Sequence, residues 1–276
     1  MNSKIELITP QKALEYLSKN TNNRTLKKST VEAIARDIIR GTFITTHQGI
    51  AFDEDGVLID GQHRLRAVIA ARKPVEMMVT RGVPKETRNV VDRGTSRTIR
   101  DLIVMTNNGD DHYSVVMRSQ QMVSAINQMV ACNYKHIKMT YVEQMRFFDS
   151  LKPQVVIAYR TVVSRKMEVR NVQIVSAVIA ALFYGVKEES LLKFFNVFNT
   201  ADINGCDDYN IQAPLNWRRQ IDNAKADRIT INANVLYGGT QSAIYHFVNN
   251  TKHGKINPKD PLPYDMAEEI SKILAI

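Results

Sequence analysis

Between Val57 and Ala71 the chain changes secondary structure with no room for a loop. Val57-Leu58-Ile59 reads as a strand, Asp60-Gly61 breaks it, and His63 to Ala71 reads as a helix. The first backbone N–H groups of such a helix have no intrahelical acceptors, and they cluster at the positive end of its dipole. That mouth is a ready anion site. Gly61 would let a phosphate approach the backbone with no Cβ in the way. Gln62 follows it, and His63 and Arg64 add a titratable donor and a bidentate cation. Arg66 lies two positions past Arg64 and faces elsewhere, while Leu65, Val68 and Ile69 supply the core-facing stripe.

The flanking segments predict a small α/β unit. Thr9-Pro10 reads as an N-cap with proline at the first helical position, opening a helix with Ala13, Leu14 and Leu17 on one face. Asn20 to Asn23 ends it, and Arg24 follows. Ser29-Thr30-Val31-Glu32 has the form of a capping box. It precedes Val31, Ile34, Ala35 and Ile38 at helical spacing, and Gly41 suits the left-handed stop. Gly49 to Phe52 and Val57 to Ile59 read as a hairpin turning at Asp53-Glu54-Asp55-Gly56. Val75 to Thr80 reads as another strand, Pro84 opens a short helix to about Val91, and a further helix runs through Met105.

Asn107 to Asp111 is the best linker. Beyond it helical periodicity dominates, predicting helices over 113–131, 141–150 (opened by the capping box Thr140-x-x-Glu143), 153–166, 171–184, 188–199, 214–225, 240–250 and 263–275. The expected fold is α+β: an α/β domain over 1–106 followed by an all-α helical domain over 112–276.

Gly61-Gln62-His63-Arg64-Leu65-Arg66-Ala67, in this order of elements, resembles the ParB/sulfiredoxin superfamily over about residues 8 to 105. ParB proteins carry Gly-Glu-Arg-Arg-x-x-Ala at this point, and sulfiredoxin carries Gly-Cys-His-Arg. The Asp-Gly-Gln-His-Arg form is common in proteins of phages and mobile elements. The resemblance implies nucleotide phosphate binding at the turn, with CTP or ATP and Mg²⁺ as the implied cofactors. Arg24 has two readings: a phosphate contact by the same resemblance, or a surface cation after the helix. Gln62 stands where ParB proteins have Glu and sulfiredoxin has its catalytic Cys, which removes sulfiredoxin chemistry. No clean helix-turn-helix signature follows the domain.

A second constellation, Val91-Asp92-Arg93-Gly94-Thr95-Ser96-Arg97-Thr98, has two readings. Arg93, Arg97 and Thr98 could form a companion phosphate loop, or the segment is a capped turn with solvated charges. Asp60 has two readings as well: a magnesium ligand beside a triphosphate, or a helix cap through its side chain. The acidic run at 53–56 lacks the further ligands of a calcium loop and reads as a turn. Two cysteines and six scattered histidines give no metal-ligand spacing, so no metal site is expected.

The charge balance points to polyanionic partners. Lysine and arginine number 37 against 28 acids, for a net charge of +9. Lys135, Lys138, Arg146, Lys152, Arg160, Arg165, Lys166 and Arg170 form a basic stretch interleaved with Tyr134, Tyr141 and Tyr159. It reads as a nucleic-acid surface or as solvated helix faces over core tyrosines. Trp217 beside Arg218-Arg219 reads as a core residue. No signal peptide or apolar span is visible, so a cytoplasmic protein without a membrane partner is expected.

The leading expectation is a nucleic-acid-binding protein, DNA before RNA, of phage type, with a phosphate-binding turn at Gly61 to Arg64. A homodimer is a further open partner. One alternative is an NTPase, phosphotransferase or nuclease at the same turn, with His63, Asp60 or Asp92 as catalytic candidates. The other is a module that docks an acidic host protein.

Overall fold

The structure is a computed structural model that describes residues 1–21, 26–85, 120–134, 139–163, 171–252 and 261–274. It is a mixed α and β protein with two compact units, one of residues 1–96 with 136–144 and the other of 97–135 with 145–276. The proposed linker at 107–111 and the helices expected from Pro84 to Met105 lie outside the described residues, apart from Pro84 and Lys85 themselves.

In the first unit, β1 (Asn2–Ile8) leads through Thr9 into α1 (Pro10–Ser18). The Thr9 side chain accepts from the Lys12 amide at 3.2 Å, as the Thr-Pro pair predicts. Then come α2 (Lys28–Arg40), β2 (Ile50–Asp53), β3 (Leu58–Asp60), α3 (Gln62–Ala71) and β4 (Val75–Val83). Gly41 ends α2 at φ 71°. The β2–β3 hairpin closes on Asp53, whose Oδ1 accepts from the amides of Asp55 and Val57 at 3.0 and 2.8 Å.

The four strands order as β1-β4-β2-β3. β1 runs antiparallel to β4, β2 runs parallel to β4, and β3 runs antiparallel to β2. The α3 crossover accounts for the parallel pair, since two parallel strands need a long connection between them. Helices α1 and α2 pack on α3. Ile8, Ala13, Tyr16, Ile38, Phe52 and Leu65 belong to the resulting core.

The sequence reading misses β1. Its alternation runs opposite to the usual sense: Ile5 and Leu7 face solvent, while Glu6 is turned inward. The expected Ser29-x-x-Glu32 box does not form. α2 starts two residues earlier, at Lys28, with Lys27 as an N-cap that makes no side-chain cap bond, and Glu32 pairs with Lys28 at 3.7 Å instead. The Thr140–Glu143 box does form, with bonds of 2.7 and 3.2 Å.

The remaining described elements are helical: α4 (Gln120–Asn133), α5 (Tyr141–Ser150), α6 (Lys152–Ala158) with a π turn (Tyr159–Val163), α7 (Val172–Phe183), α8 (Glu188–Thr200), α9 (Gln212–Ala226), α10 (Ala233–Val248) and α11 (Ala267–Leu274). α7 is the hub of the second unit. Every residue from Ile174 to Leu182 is buried, and α4, α6 and α10 all pack on it. α10 begins well before the expected residue 240, because Asn232 caps it. Its glycines mark a close contact rather than a break: a Cβ on Gly239 would lie 2.5 Å from the Trp217 ring. Trp217 is buried and donates to Thr240 Oγ1 at 3.1 Å.

Candidate phosphate site at the start of α3

The turn into α3 is held by its own side chains. Asp60 Oδ1 accepts from the Gly61 amide at 2.6 Å, and Asp60 Oδ2 lies 3.6 Å from Arg64 Nη1. That same Arg64 nitrogen donates to the Gly49 carbonyl at 2.9 Å. Arg64 therefore clamps the entry to β2, with a quarter of its side chain left exposed. Gly61 sits at φ 102°, and a Cβ there would come within 3.0 Å of Ile50 Cα. Packing against β2 thus accounts for the glycine, rather than the approach of a ligand assumed from sequence. Gly49 is still more restricted, since a Cβ on it would lie 1.8 Å from the Met78 carbonyl oxygen of β4.

Gln62 is buried, and its Oε1 lies 3.5 Å from Asn20 Nδ2, a long contact. His63 Nε2 accepts from the Lys27 amide at 3.0 Å. Asn20 follows the end of α1, and Lys27 is the N-cap of α2. Asn20 and Lys27, on either side of the segment that contains Arg24, therefore both reach the first turn of α3. Arg24 itself lies outside the described residues, as do Asp92, Arg93, Arg97 and Thr98.

Two helix starts meet at His63. Neither Lys27 nor Gly61 makes a side-chain cap bond. Among the described residues, the amides of Lys28, Ser29 and Arg64 have no acceptor. The positive ends of two dipoles and three open N–H donors share one corner of the unit. Arg66 on α3 is exposed.

A pocket of about 250 Å³ is lined by Tyr16, Lys19, Phe52, Asp53, Glu54 and Arg81 among others. The Lys19 ammonium lies 5.8 Å above the Tyr16 ring and 5.7 Å above the Phe52 ring, and it makes no ion pair among the described residues. Arg81 belongs to a cluster that the sequence did not disclose. Its guanidinium bonds both oxygens of Glu6, at 2.5 and 3.3 Å, and bonds the Tyr16 hydroxyl at 2.6 Å. Tyr16 donates to Glu6 at 2.6 Å, and Lys12 lies 2.7 Å from it. Burial pushes the Glu6 carboxyl upward, but the bonds from Arg81, Lys12 and Tyr16 outweigh it and hold the group far below the usual carboxylate range.

Of the predicted basic surface, Arg146 is exposed with no ion pair among the described residues. Arg160 is exposed and pairs with Glu188 at 3.0 Å. Lys135, Lys138, Arg165, Lys166 and Arg170 lie outside the described residues. Tyr134 is half-buried, and its hydroxyl donates to the Ala267 carbonyl at 2.7 Å. Both cysteines are free thiols. Among the described residues, no three His, Cys, Asp or Glu side chains converge as a metal site, and no helix is long and apolar enough to cross a membrane.

No family model, curated protein or solved structure matches this chain.

Proposed function

We propose that this chain binds the phosphates of a nucleic acid, DNA before RNA, or of a nucleoside triphosphate, at the shared corner of α2 and α3. The observation that carries this reading is the meeting of two uncapped helix starts at His63, with the Lys28, Ser29 and Arg64 amides open. The reading also extends the ParB/sulfiredoxin resemblance of Asp60 to Ala67, in which the α/β unit is the phosphate-binding domain and the helical unit supplies nucleic-acid contacts. Those contacts would come from the basic stretch that includes Arg146 and Arg160. A cytoplasmic setting, in a host cell for a phage protein, suits such a role.

The roles at the turn divide by geometry. The open amides and the two dipoles attract the phosphate. His63 holds the two helix starts together through Lys27. Arg64 fixes β2 to the turn and offers its exposed edge to the anion. Lys19 adds a cation one residue before Asn20, with no ion pair among the described residues. Asp60 is taken up by the Gly61 amide and Arg64, so the reading gives it no magnesium.

The test is a calorimetric panel of CTP, ATP, GTP, short duplex DNA and short RNA, on wild type and on Lys19→Ala and His63→Ala. Binding of at least one phosphate ligand, weakened in both variants, is the expected result. No binding by any of the five, or binding indifferent to both substitutions, would contradict the site.

A further inference from the structure

We infer that the free edge of β1 is the self-association surface of this protein, pairing antiparallel with β1 of a second copy about a two-fold axis through Ile5. β1 ends the sheet order, so its outer edge pairs with no other strand among the described residues. An open edge of seven residues is a template for another strand unless something blunts it. The backbone of the edge is unbroken: it has no proline, and its ladder with β4 runs from Asn2 to Ile8, with Ser3, Ile5 and Leu7 on the outward face. Lys4 and the inward-turned Glu6 guard it against an unrelated strand, but they complement each other in a second copy. Ile5 is 57% exposed and Leu7 is 53% exposed, on the face opposite Glu6.

Charge and register select the second copy as the occupant. Side chains that face each other across an antiparallel ladder lie on the same side of the sheet, so a two-fold axis normal to the sheet must pass through a residue position. An axis at Lys4 would set Lys4 against the partner's Lys4, and an axis at Glu6 would set Glu6 against the partner's Glu6. Like charges directly opposite are destabilising. Axes at Ser3 or Leu7 pair only residues 2–4 or 6–8. The axis at Ile5 pairs the whole strand from Asn2 to Ile8. It sets each Lys4 against the partner's Glu6, Ser3 against the partner's Leu7, and Ile5 against the partner's Ile5. Lys4 keeps 65% of its side chain exposed and already lies 3.5 Å from its own Glu6, so it can bridge two carboxylates across the seam. The two four-stranded sheets become one continuous sheet, and the exposed Ile5 and Leu7 side chains of both copies form a single apolar strip.

Sedimentation equilibrium on the full chain tests this directly. The expected species is a dimer of the 31.4 kDa chain that dissociates on dilution. Ile5→Lys places four lysines around the axis and is expected to raise the dissociation constant roughly tenfold or more. Circular dichroism confirms that this exposed substitution leaves the fold intact. Register is read by oxidation: Ile5→Cys cross-links to its own copy, whereas Leu7→Cys, which faces the partner's Ser3, cross-links only to the background level of wild type. A monomer at every concentration, a dimer unaffected by Ile5→Lys, or equal cross-linking at positions 5 and 7 would each overturn the inference.

Discussion

The Lys27 amide donates to His63 Nε2 across 3.0 Å, and this single bond ties the start of α2 to the start of α3. Removing the ring breaks the tie without touching the sheet. His63→Ala is expected to cost about 1 kcal/mol in urea unfolding, the net worth of one hydrogen bond. It should weaken phosphate binding by roughly tenfold, since the open amides no longer share one corner. Loss of stability with unchanged binding would assign His63 to the fold alone.

The glycines of the first unit grade themselves by what a methyl group would meet. Gly56 sits at φ 76° with open space around it, so Gly56→Ala should cost about 1–2 kcal/mol, from the left-handed backbone alone. Gly61→Ala adds contact with Ile50 and should cost more. Gly49→Ala drives a methyl into the β4 backbone at Met78 and should cost roughly 3 kcal/mol or abolish folding. Thermal unfolding of the three variants checks the order 56, 61, 49.

Acid should weaken the first unit through two carboxylates. Glu6 is held low by Arg81, Lys12 and Tyr16. Burial raises the Glu143 carboxyl, but Arg36, the Thr140 amide and Arg40 outweigh it, so the group is held below its ordinary value. A carboxyl depressed in the folded state contributes stability above its unfolded value, near 4.3, and that stability is lost as the pH falls below it. Unfolding free energy should therefore drop steadily below about pH 4.5, and Glu6→Gln should flatten that limb. An acid limb identical in Glu6→Gln and wild type would contradict the linkage.

Glu143 is 1% exposed and bonds Arg36 at 2.8 Å and Arg40 at 2.7 Å. Glu143→Ala strands two mostly buried guanidiniums and should cost about 3–5 kcal/mol. Replacing Arg36 by methionine in the same background should recover part of that loss, because it removes one uncompensated charge. Chemical denaturation of the single and double variants measures the difference.

Local chemistry made much of the fold legible. Thr9 before Pro10, Gly41 after α2, the Asp53–Gly56 turn, and the Thr140–Glu143 box each act within a few residues, and each reads directly from the chain. What escaped is long-range. Glu6, Lys12, Tyr16 and Arg81 meet only because β1 pairs with β4. Glu143 finds Arg36 from 107 residues away. β1 was hidden because its apolar residues face outward. At the turn, the run Asp60 to Arg64 correctly marks a strand entering a helix. The demand for glycine at 61 comes from Ile50, and the reach of Arg64 to Gly49 comes from the hairpin, neither of which the local sequence displays.

Amide chemical shifts recorded while duplex DNA or CTP is added test the phosphate site most directly. The account predicts that the largest shifts fall on Lys28, Ser29 and Arg64, that they saturate, and that raising the salt reverses them for DNA. Shifts absent from those three amides while the ligand binds elsewhere would contradict it.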